Sequence, residues 1–272
     1  MTQTLSQENI SSGLKLFAKV LLKRSSKVPI EPMALTIEGF KFSPSHIKNY
    51  CDYLGFESKS LPLPYLFVAS QNAQLELLLN ERFPYKALGL VHRSIELEMP
   101  EPLDIHKAHD VALEIGKEIP HPKGVEFDVT ARFMVEGVER AKMVNRYFCF
   151  KKQPEMESKP SPKPEFSHLS SKSNIRFNET NVRGYAKVSG DYNPIHLHAL
   201  TAKPFGFKRP IAHGMFMLAK AISTLDLNTR YLKVSFHRPA LLPIKLDLVA
   251  DENTAFLINS DNKPVLEINW QK

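Results

Sequence analysis

An aspartate and a histidine stand five positions apart in the C-terminal part of the sequence, at Asp191 and His196. Gly190 permits the positive φ with which helices often end, and Asn193-Pro194 is typical of a tight turn. Such a turn can bring a carboxylate and an imidazole to one small space, where they could orient a water, take its proton and deliver another. The alternative is structural, because a lone Asp/His pair at this spacing is more often a capping aspartate and a buried, hydrogen-bonded histidine.

A second feature is Gly214, which precedes an apolar helix predicted over Met215–Leu225. Because glycine has no side chain, an oxygen can approach its backbone N–H closely, and the helix N-terminus adds a positive partial charge there. These properties suit the stabilisation of a negatively charged oxygen. An ordinary helix start with a packing glycine would have the same sequence. The neighbouring His213 is interpreted as structural rather than catalytic, and His198 as exposed.

The elements that must position these residues follow one order in both halves of the chain: a short helix, a loop, a buried helix and four strands. Helices are predicted over Pro44–Leu54 and Tyr65–Asn80 in the N-terminal half, and over Glu179–Val188 and Met215–Leu225 in the C-terminal half. A strongly apolar helix needs cover on nearly all sides, which a curved antiparallel sheet supplies. The sequence therefore predicts an α+β protein of two such units, packed as a pseudo-dimer.

A proline-rich stretch separates the two halves. Residues 151–165 contain four prolines and almost no apolar side chain, so extended chain is expected. The predicted domains are 1–150, a linker at 151–172, and 173–272. An amphipathic helix is predicted over residues 7–24, docked on the body of the protein rather than acting as a targeting signal.

Composition excludes several classes of protein. Of the 272 residues, 43% are hydrophobic and 24% are charged, which excludes a wholly disordered chain. The sequence has no apolar run of about 18 residues, so no transmembrane helix is expected. The two cysteines, Cys51 and Cys149, argue against a disulfide scaffold or a thiolate zinc site and fit a reduced, cytoplasmic setting.

The net charge of +7 is unevenly distributed: it is zero over residues 1–150, +2 over 151–172 and +5 over 173–272. A basic surface attracts phosphate groups, whether of nucleic acid, an acidic carrier protein or a phosphorylated cofactor. An ordinary soluble basic domain has the same charge. Nucleic acid is disfavoured, because zinc-finger spacing, glycine-rich RNA signatures and aromatic residues among the lysines are all absent from the sequence.

The whole string 185–202 is far more specific than the Asp/His pair. It resembles the hydratase motif of the MaoC-like, (R)-specific enoyl-CoA hydratase family through Tyr185, Val188, Ser189, Gly190, Asp191, Asn193, Pro194, Ile195, His196 and Ala202. The resemblance implies a double hot-dog fold and a hydro-lyase that interconverts trans-2-enoyl and (R)-3-hydroxyacyl thioesters in fatty acid metabolism. It assigns catalysis to Asp191 and His196, the backbone oxyanion donor to Gly214, and a positioning role to Asn193.

The same resemblance implies what accompanies the reaction. CoA or phosphopantetheine is part of the substrate, and neither a further cofactor nor a metal is expected. Lys203, Lys208 and Arg209 lie between the catalytic turn and the apolar helix and form a predicted rim for its phosphates. The expected partner is acyl-CoA or an acyl carrier protein, and the chain is expected to be a monomeric pseudo-dimer or a homodimer.

The N-terminal half departs from the family pattern. It has no Ser-Gly-Asp-x-Asn-Pro-x-His string, and no histidine follows five residues after Asp52. One active site per chain is therefore expected, with a degenerate N-terminal hot-dog that makes room for the acyl chain. Two other functions stay open: a hot-dog thioesterase, which needs no Asn-Pro-x-His turn, and a non-catalytic acyl-binding partner subunit.

Overall fold

The chain folds into two compact units in the computed structural model, which describes residues 2–11, 16, 19–20, 22–26, 28–57, 61–151 and 165–271. The first unit contains the described residues of Met1–Ser43 and Tyr65–Ser161, and the second contains those of Pro44–Pro64 and Pro162–Lys272. No helix within these described ranges is both long enough and apolar enough to cross a membrane.

The first unit is a sheet with one long helix against it. Its strands are β1 Thr2–Ser6, β2 Met33–Phe40, β3 Val91–Glu98, β4 His109–Ile115, β5 Ile119–His121, β6 Gly124–Val135 and β7 Val138–Phe150. They lie in the order β1-β2-β4-β6-β7-β3, with β5 beside β6. Strand β1 is parallel to β2, and the other pairs are antiparallel. Helix α2 (Tyr65–Leu79) packs on β2 and β4 of this unit, whereas α1 (Pro44–Leu54) belongs to the second unit.

The second unit repeats this plan. Its strands, β8 Ser170–Phe177, β9 Tyr231–Phe236, β10 Ile244–Ala250, β11 Thr254–Ile258 and β12 Pro264–Gln271, pair antiparallel in the order β9-β12-β11-β10-β8. Its later helices are α3 Glu179–Ser189, α4 Pro194–Leu197, α5 Ala199–Ala202 and α6 Gly214–Leu225. The predicted α+β class, with a long helix against a mostly antiparallel sheet in each unit, is confirmed.

Helix α6 is the centre of the second unit because it has almost no polar face. It buries Met215, Phe216, Met217, Leu218, Ala219, Ala221 and Ile222. A helix that is apolar nearly all round must be covered on more than one side. Strands β8 and β12 cover one side of α6, and α1 packs against it as well. The N-terminus of α6 is thereby held in place, and His213, which precedes it, bonds to the main chain of Asp191.

Helix α1 packs with residues that follow it by more than a hundred positions in the sequence. The Leu54 carbonyl accepts hydrogen bonds from Lys220 Nζ at 3.1 Å and Ser223 Oγ at 2.9 Å. The Tyr53 hydroxyl donates to the Asn181 carbonyl at 2.6 Å. The division into domains at 1–150 and 173–272 remains a prediction. The compact units of the structure differ from them in that this helix joins the C-terminal residues.

Three strands were not predicted, namely β1, β5 and β8. Strand β8 begins at Ser170, inside the predicted linker, and residues 152–164 of that linker lie outside the described residues. Much of the predicted helix over 7–24 also lies outside them. Among its described members, Leu16 and Val20 are buried, and residues Gln7–Asn9 form a 3-10 turn.

Candidate active site

The turn at residues 190–196, which carries the predicted catalytic pair, begins where α3 ends, and both ends of α3 are fixed by local chemistry. Asn178 caps its N-terminus, with its side chain accepting from Asn181 N–H in a reciprocal capping box. At the C-terminus, Gly190 adopts φ 76° and donates its N–H to the Ala186 carbonyl. This left-handed residue ends the helix and reverses the chain. The positive φ expected at Gly190 is confirmed.

Asp191 is half-buried and is held by its neighbours in the turn. Its N–H donates to Ser189 Oγ at 3.2 Å, and its Oδ1 accepts from the Asn193 N–H at 3.1 Å. The Asn193 side chain in turn accepts from the Ile195 N–H at 3.3 Å and caps α4. Asn193 therefore links the carboxylate to the short helix that carries the histidine.

His196 is buried, and its hydrogen bond defines its tautomer. Nδ1 lies 2.8 Å from the Ile211 carbonyl oxygen. Because a carbonyl can only accept, Nδ1 carries the proton and Nε2 has the free lone pair. Burial lowers the pKa of His196, and the negative charge of Asp191 and the Ile211 hydrogen bond partly oppose that change. A neutral imidazole with an available Nε2 can take a proton at neutral pH.

A third side chain, His213, completes this cluster. Its ring centroid lies 3.8 Å from that of His196, with the ring planes 31° apart. One ligand atom from each of Asp191, His196 and His213 can be chosen so that all lie within 4.8 Å of one another. A carboxylate and two imidazoles are a donor set that zinc accepts. The spacing also suits a water, since a water bonded to two groups at about 2.8 Å and a tetrahedral angle spans about 4.6 Å.

Gly214 is the first residue of α6, and its N–H is one of the unpaired donors of a helix start. The first bond within the helix runs from Met217 N–H to the His213 carbonyl at 3.1 Å. A Cβ placed on Gly214 would lie 2.7 Å from Phe236 Cε1, so the absence of a side chain is also required by packing. The packing interpretation of this glycine therefore has support, and the oxyanion donor remains a prediction.

The predicted phosphate rim is exposed. Lys203, Lys208 and Arg209 all lie on the surface between α5 and α6, and none of them forms an ion pair within the described part of the chain. Their role remains a prediction. His198 is exposed as predicted, and its Nδ1 accepts from the Leu200 N–H at 3.2 Å, which caps α5.

Sequence reasoning missed the residues that hold this turn from outside. Arg183 donates from Nε and Nη2 to the Leu197 carbonyl, at 3.2 and 3.1 Å, and so fixes the end of α4. Its only signal in the sequence is the i,i+4 pair that it forms with Glu179.

Tyr185 is also tied to the turn. Burial and the charge of Asp191 raise the pKa of Tyr185, whereas hydrogen bonding with Tyr50 and Ser189 lowers it. Tyr50 lies on α1, so no local pattern in the sequence could have linked it to the turn.

Comparison with known proteins agrees with this architecture. Residues 155–247 match the family described as MaoC like domain. The chain is 27% identical over 255 residues to 3-hydroxyacyl-thioester dehydratase X of Mycobacterium tuberculosis, covering 89% of each protein. It is 40% identical over 81 residues to the (R)-specific enoyl-CoA hydratase of Aeromonas caviae, covering 29% of this chain and 60% of that protein. The crystal structure of HtdX from Mycobacterium tuberculosis has a TM-score of 0.72 at 26% identity, over 86% of this chain and 98% of that one.

Proposed function

Because this chain carries a MaoC-like domain and resembles hydratases and dehydratases of acyl thioesters, we propose that it interconverts trans-2-enoyl and (R)-3-hydroxyacyl thioesters. The observation that carries the proposal is the tautomer of His196. Its Nδ1 proton is donated to the Ile211 carbonyl, which leaves the lone pair on Nε2, and one ring nitrogen of His196 lies within 4.8 Å of a carboxylate oxygen of Asp191. A water hydrogen-bonded to both groups is held and activated at once.

In the hydration direction, His196 Nε2 takes a proton from this water while the water oxygen bonds to C3 of the enoyl thioester. The electron pair of the C2–C3 double bond moves towards the thioester carbonyl, whose oxygen becomes negatively charged. A proton is then returned to C2 through the same Asp/His pair. Dehydration runs through these steps in reverse, with the protonated pair delivering the proton to the departing hydroxyl.

The enolate oxygen needs a hydrogen-bond donor that is already in place. Gly214 N–H supplies it in this proposal, since it is an unpaired donor at the positive end of α6. It follows directly on His213, whose ring contacts His196. The donor to the enolate oxygen is thereby placed next in sequence to a residue that contacts the proton-transfer pair.

The phosphate groups of the substrate offer a further point of binding. Lys203, Lys208 and Arg209 are exposed and would contact the phosphates of CoA or of a carrier-bound phosphopantetheine arm. All the groups used in the reaction come from the chain, so neither a further cofactor nor a metal is required by this mechanism.

The test is hydration of crotonyl-CoA, followed by the loss of the enoyl-thioester absorbance and by an assay for free thiol. We expect the absorbance to fall without release of thiol. Asp191→Asn and His196→Asn should each lower kcat by about two to four orders of magnitude, the usual effect of removing a positioned acid or base. His198→Asn is the matched control, because His198 is an exposed histidine on the same loop, and it should leave kcat unchanged.

Two outcomes would contradict the proposal. Release of thiol at the rate of absorbance loss would identify a thioesterase. Wild-type hydration by a folded Asp191→Asn or His196→Asn variant would remove the pair from the mechanism.

A further inference from the structure

His213 contacts both members of the proposed catalytic pair without being one of them. It is 1% exposed and lies at the N-cap position of α6, yet its side chain does not cap the helix. Instead, Nε2 lies 3.0 Å from the main-chain carbonyl oxygen of Asp191, and the ring contacts that of His196 in a tilted arrangement. The side chain therefore binds to the turn that carries the proposed catalytic pair and not to the helix that it precedes.

The contact with Asp191 fixes the chemical state of His213. A carbonyl only accepts, so Nε2 carries the proton and Nδ1 has the lone pair. Burial and the nearby His196 lower the pKa of His213 to about 3, against the opposing effect of Asp191. The ring is neutral at any pH at which the enzyme would work. It therefore adds no charge beside His196 and does not exchange protons during the reaction.

We propose that His213 is a positioning residue, whose Nε2–H bond to the Asp191 carbonyl holds the carboxylate at its working distance from His196. This inference rests on the proposed function and extends it. Asp191 follows a left-handed glycine, and its N–H and Oδ1 bond to Ser189 and Asn193, each only two residues away. The bond from His213 is the long-range restraint that ties the main chain of Asp191 to α6, 22 residues further along the sequence. Reacting groups displaced by about 1 Å can lose about a hundredfold in rate.

The test separates the hydrogen bond from the ring in the full-length protein. His213→Gln places an amide N–H near the position of Nε2 and removes the ring, whereas His213→Phe keeps a flat ring and removes the donor. We expect His213→Gln to retain kcat within about threefold. We expect His213→Phe to lower kcat by about ten- to a hundredfold with little change in KM. His198→Phe is the control for replacing an exposed histidine nearby.

A purely structural role would not move the pH profile, which gives a second readout. Among the described residues, His213 contacts His196 through its ring, and the charge of Asp191 raises the pKa of His196 against burial. If Asp191 is displaced, that support is weakened. The acid limb of kcat/KM should then shift to lower pH in His213→Phe and should return towards its original position in His213→Gln.

The inference is overturned if His213→Phe matches the wild type, if His213→Gln is as slow as His213→Phe, or if the acid limb does not move. Should His213→Phe fail to fold, His213→Asn replaces it, since the shorter amide does not reach the Asp191 carbonyl, and the same three outcomes apply. Failure of the proposed function looks different. In that case the wild type does not hydrate crotonyl-CoA, or Asp191→Asn and His196→Asn retain its rate.

Discussion

Acidification should destabilise this protein through His213, and the size of the effect follows from its burial. The pKa of the imidazole is lowered from 6.5 to about 3 in the folded state, chiefly by burial and secondarily by His196. Between these two values the unfolded chain binds a proton that the folded chain does not. Stability therefore rises with pH in this window and is lost as pH falls from above 6.5 towards 3.

The loss can be calculated for a convenient pair of conditions. At pH 8 the imidazole is neutral in both states, so it contributes almost nothing to the difference. At pH 5 it is almost fully protonated in the unfolded chain and neutral in the folded one, which costs the fold about 2 kcal/mol. This figure depends little on the folded-state pKa as long as that value lies below about 4.

The assay is urea unfolding of the wild type and of His213→Gln at pH 8 and at pH 5. Other groups that titrate in this range, His196 among them, are present in both proteins, so their contributions cancel in the comparison. The wild type should lose about 2 kcal/mol more unfolding free energy than the variant between the two pH values. Equal losses would mean that His213 is accessible to protons in the folded state, and the neutral, buried donor described above would be wrong.

Two further substitutions test the packing around the site. Gly214→Ala should lower kcat both in the wild type and in a Phe236→Ala background. It should also lower Tm, and Phe236→Ala should relieve that loss, because the added methyl group would lie 2.7 Å from the Phe236 ring. Recovery of kcat in the double variant would mean that Gly214 serves packing only. Gly184→Ala should stabilise α3 by about 1 kcal/mol through helix propensity when Tyr53 is replaced by alanine. With Tyr53 present the gain should disappear, because the Cβ would lie 2.2 Å from its hydroxyl oxygen. Unfolding free energies of the four proteins of this cycle decide the point, and an equal gain in both backgrounds would contradict the docking of α1 on α3.

The regular elements were predicted well where the sequence has a strong period. Helix α1, for example, was predicted with its observed bounds, Pro44–Leu54. Strand β8 was missed because its sequence, Ser-Ser-Lys-Ser-Asn-Ile-Arg-Phe, has too few apolar residues to alternate. It is a strand because it pairs with β10, and edge pairing depends on the backbone of a partner rather than on the strand's own side chains.

In the proposed active site too, some features were predictable from the sequence and others were not. Asp191, Asn193 and His196 are placed by short-range turns, and their order in the sequence was enough to bring them together in a prediction. The proton on His196 Nδ1 is fixed by the carbonyl of Ile211, which any residue type at that position would provide. The contact of His213 with Asp191 is likewise a bond to main chain. Every residue has a main-chain carbonyl, so a sequence does not show which one accepts a hydrogen bond. The tautomer of His196 and the bond from His213 to Asp191 could therefore be found only in the structure.

The place of α1 bears on what the N-terminal half contributes. Tyr50 on this helix is fully buried, and its hydrogen bonding with Tyr185 lowers the pKa of that phenol. Tyr185 also stacks on Phe216 at 4.9 Å and lies 5.1 Å from the ring of His213. The surroundings of the proposed catalytic pair are thus built from two distant stretches of chain. Helix α1 packs on α3 and α6, the two helices next to the proposed catalytic pair. The predicted role of the N-terminal half as a cover for the acyl chain therefore leaves out this contribution, because substitutions in α1 should also disturb the position of the proposed pair.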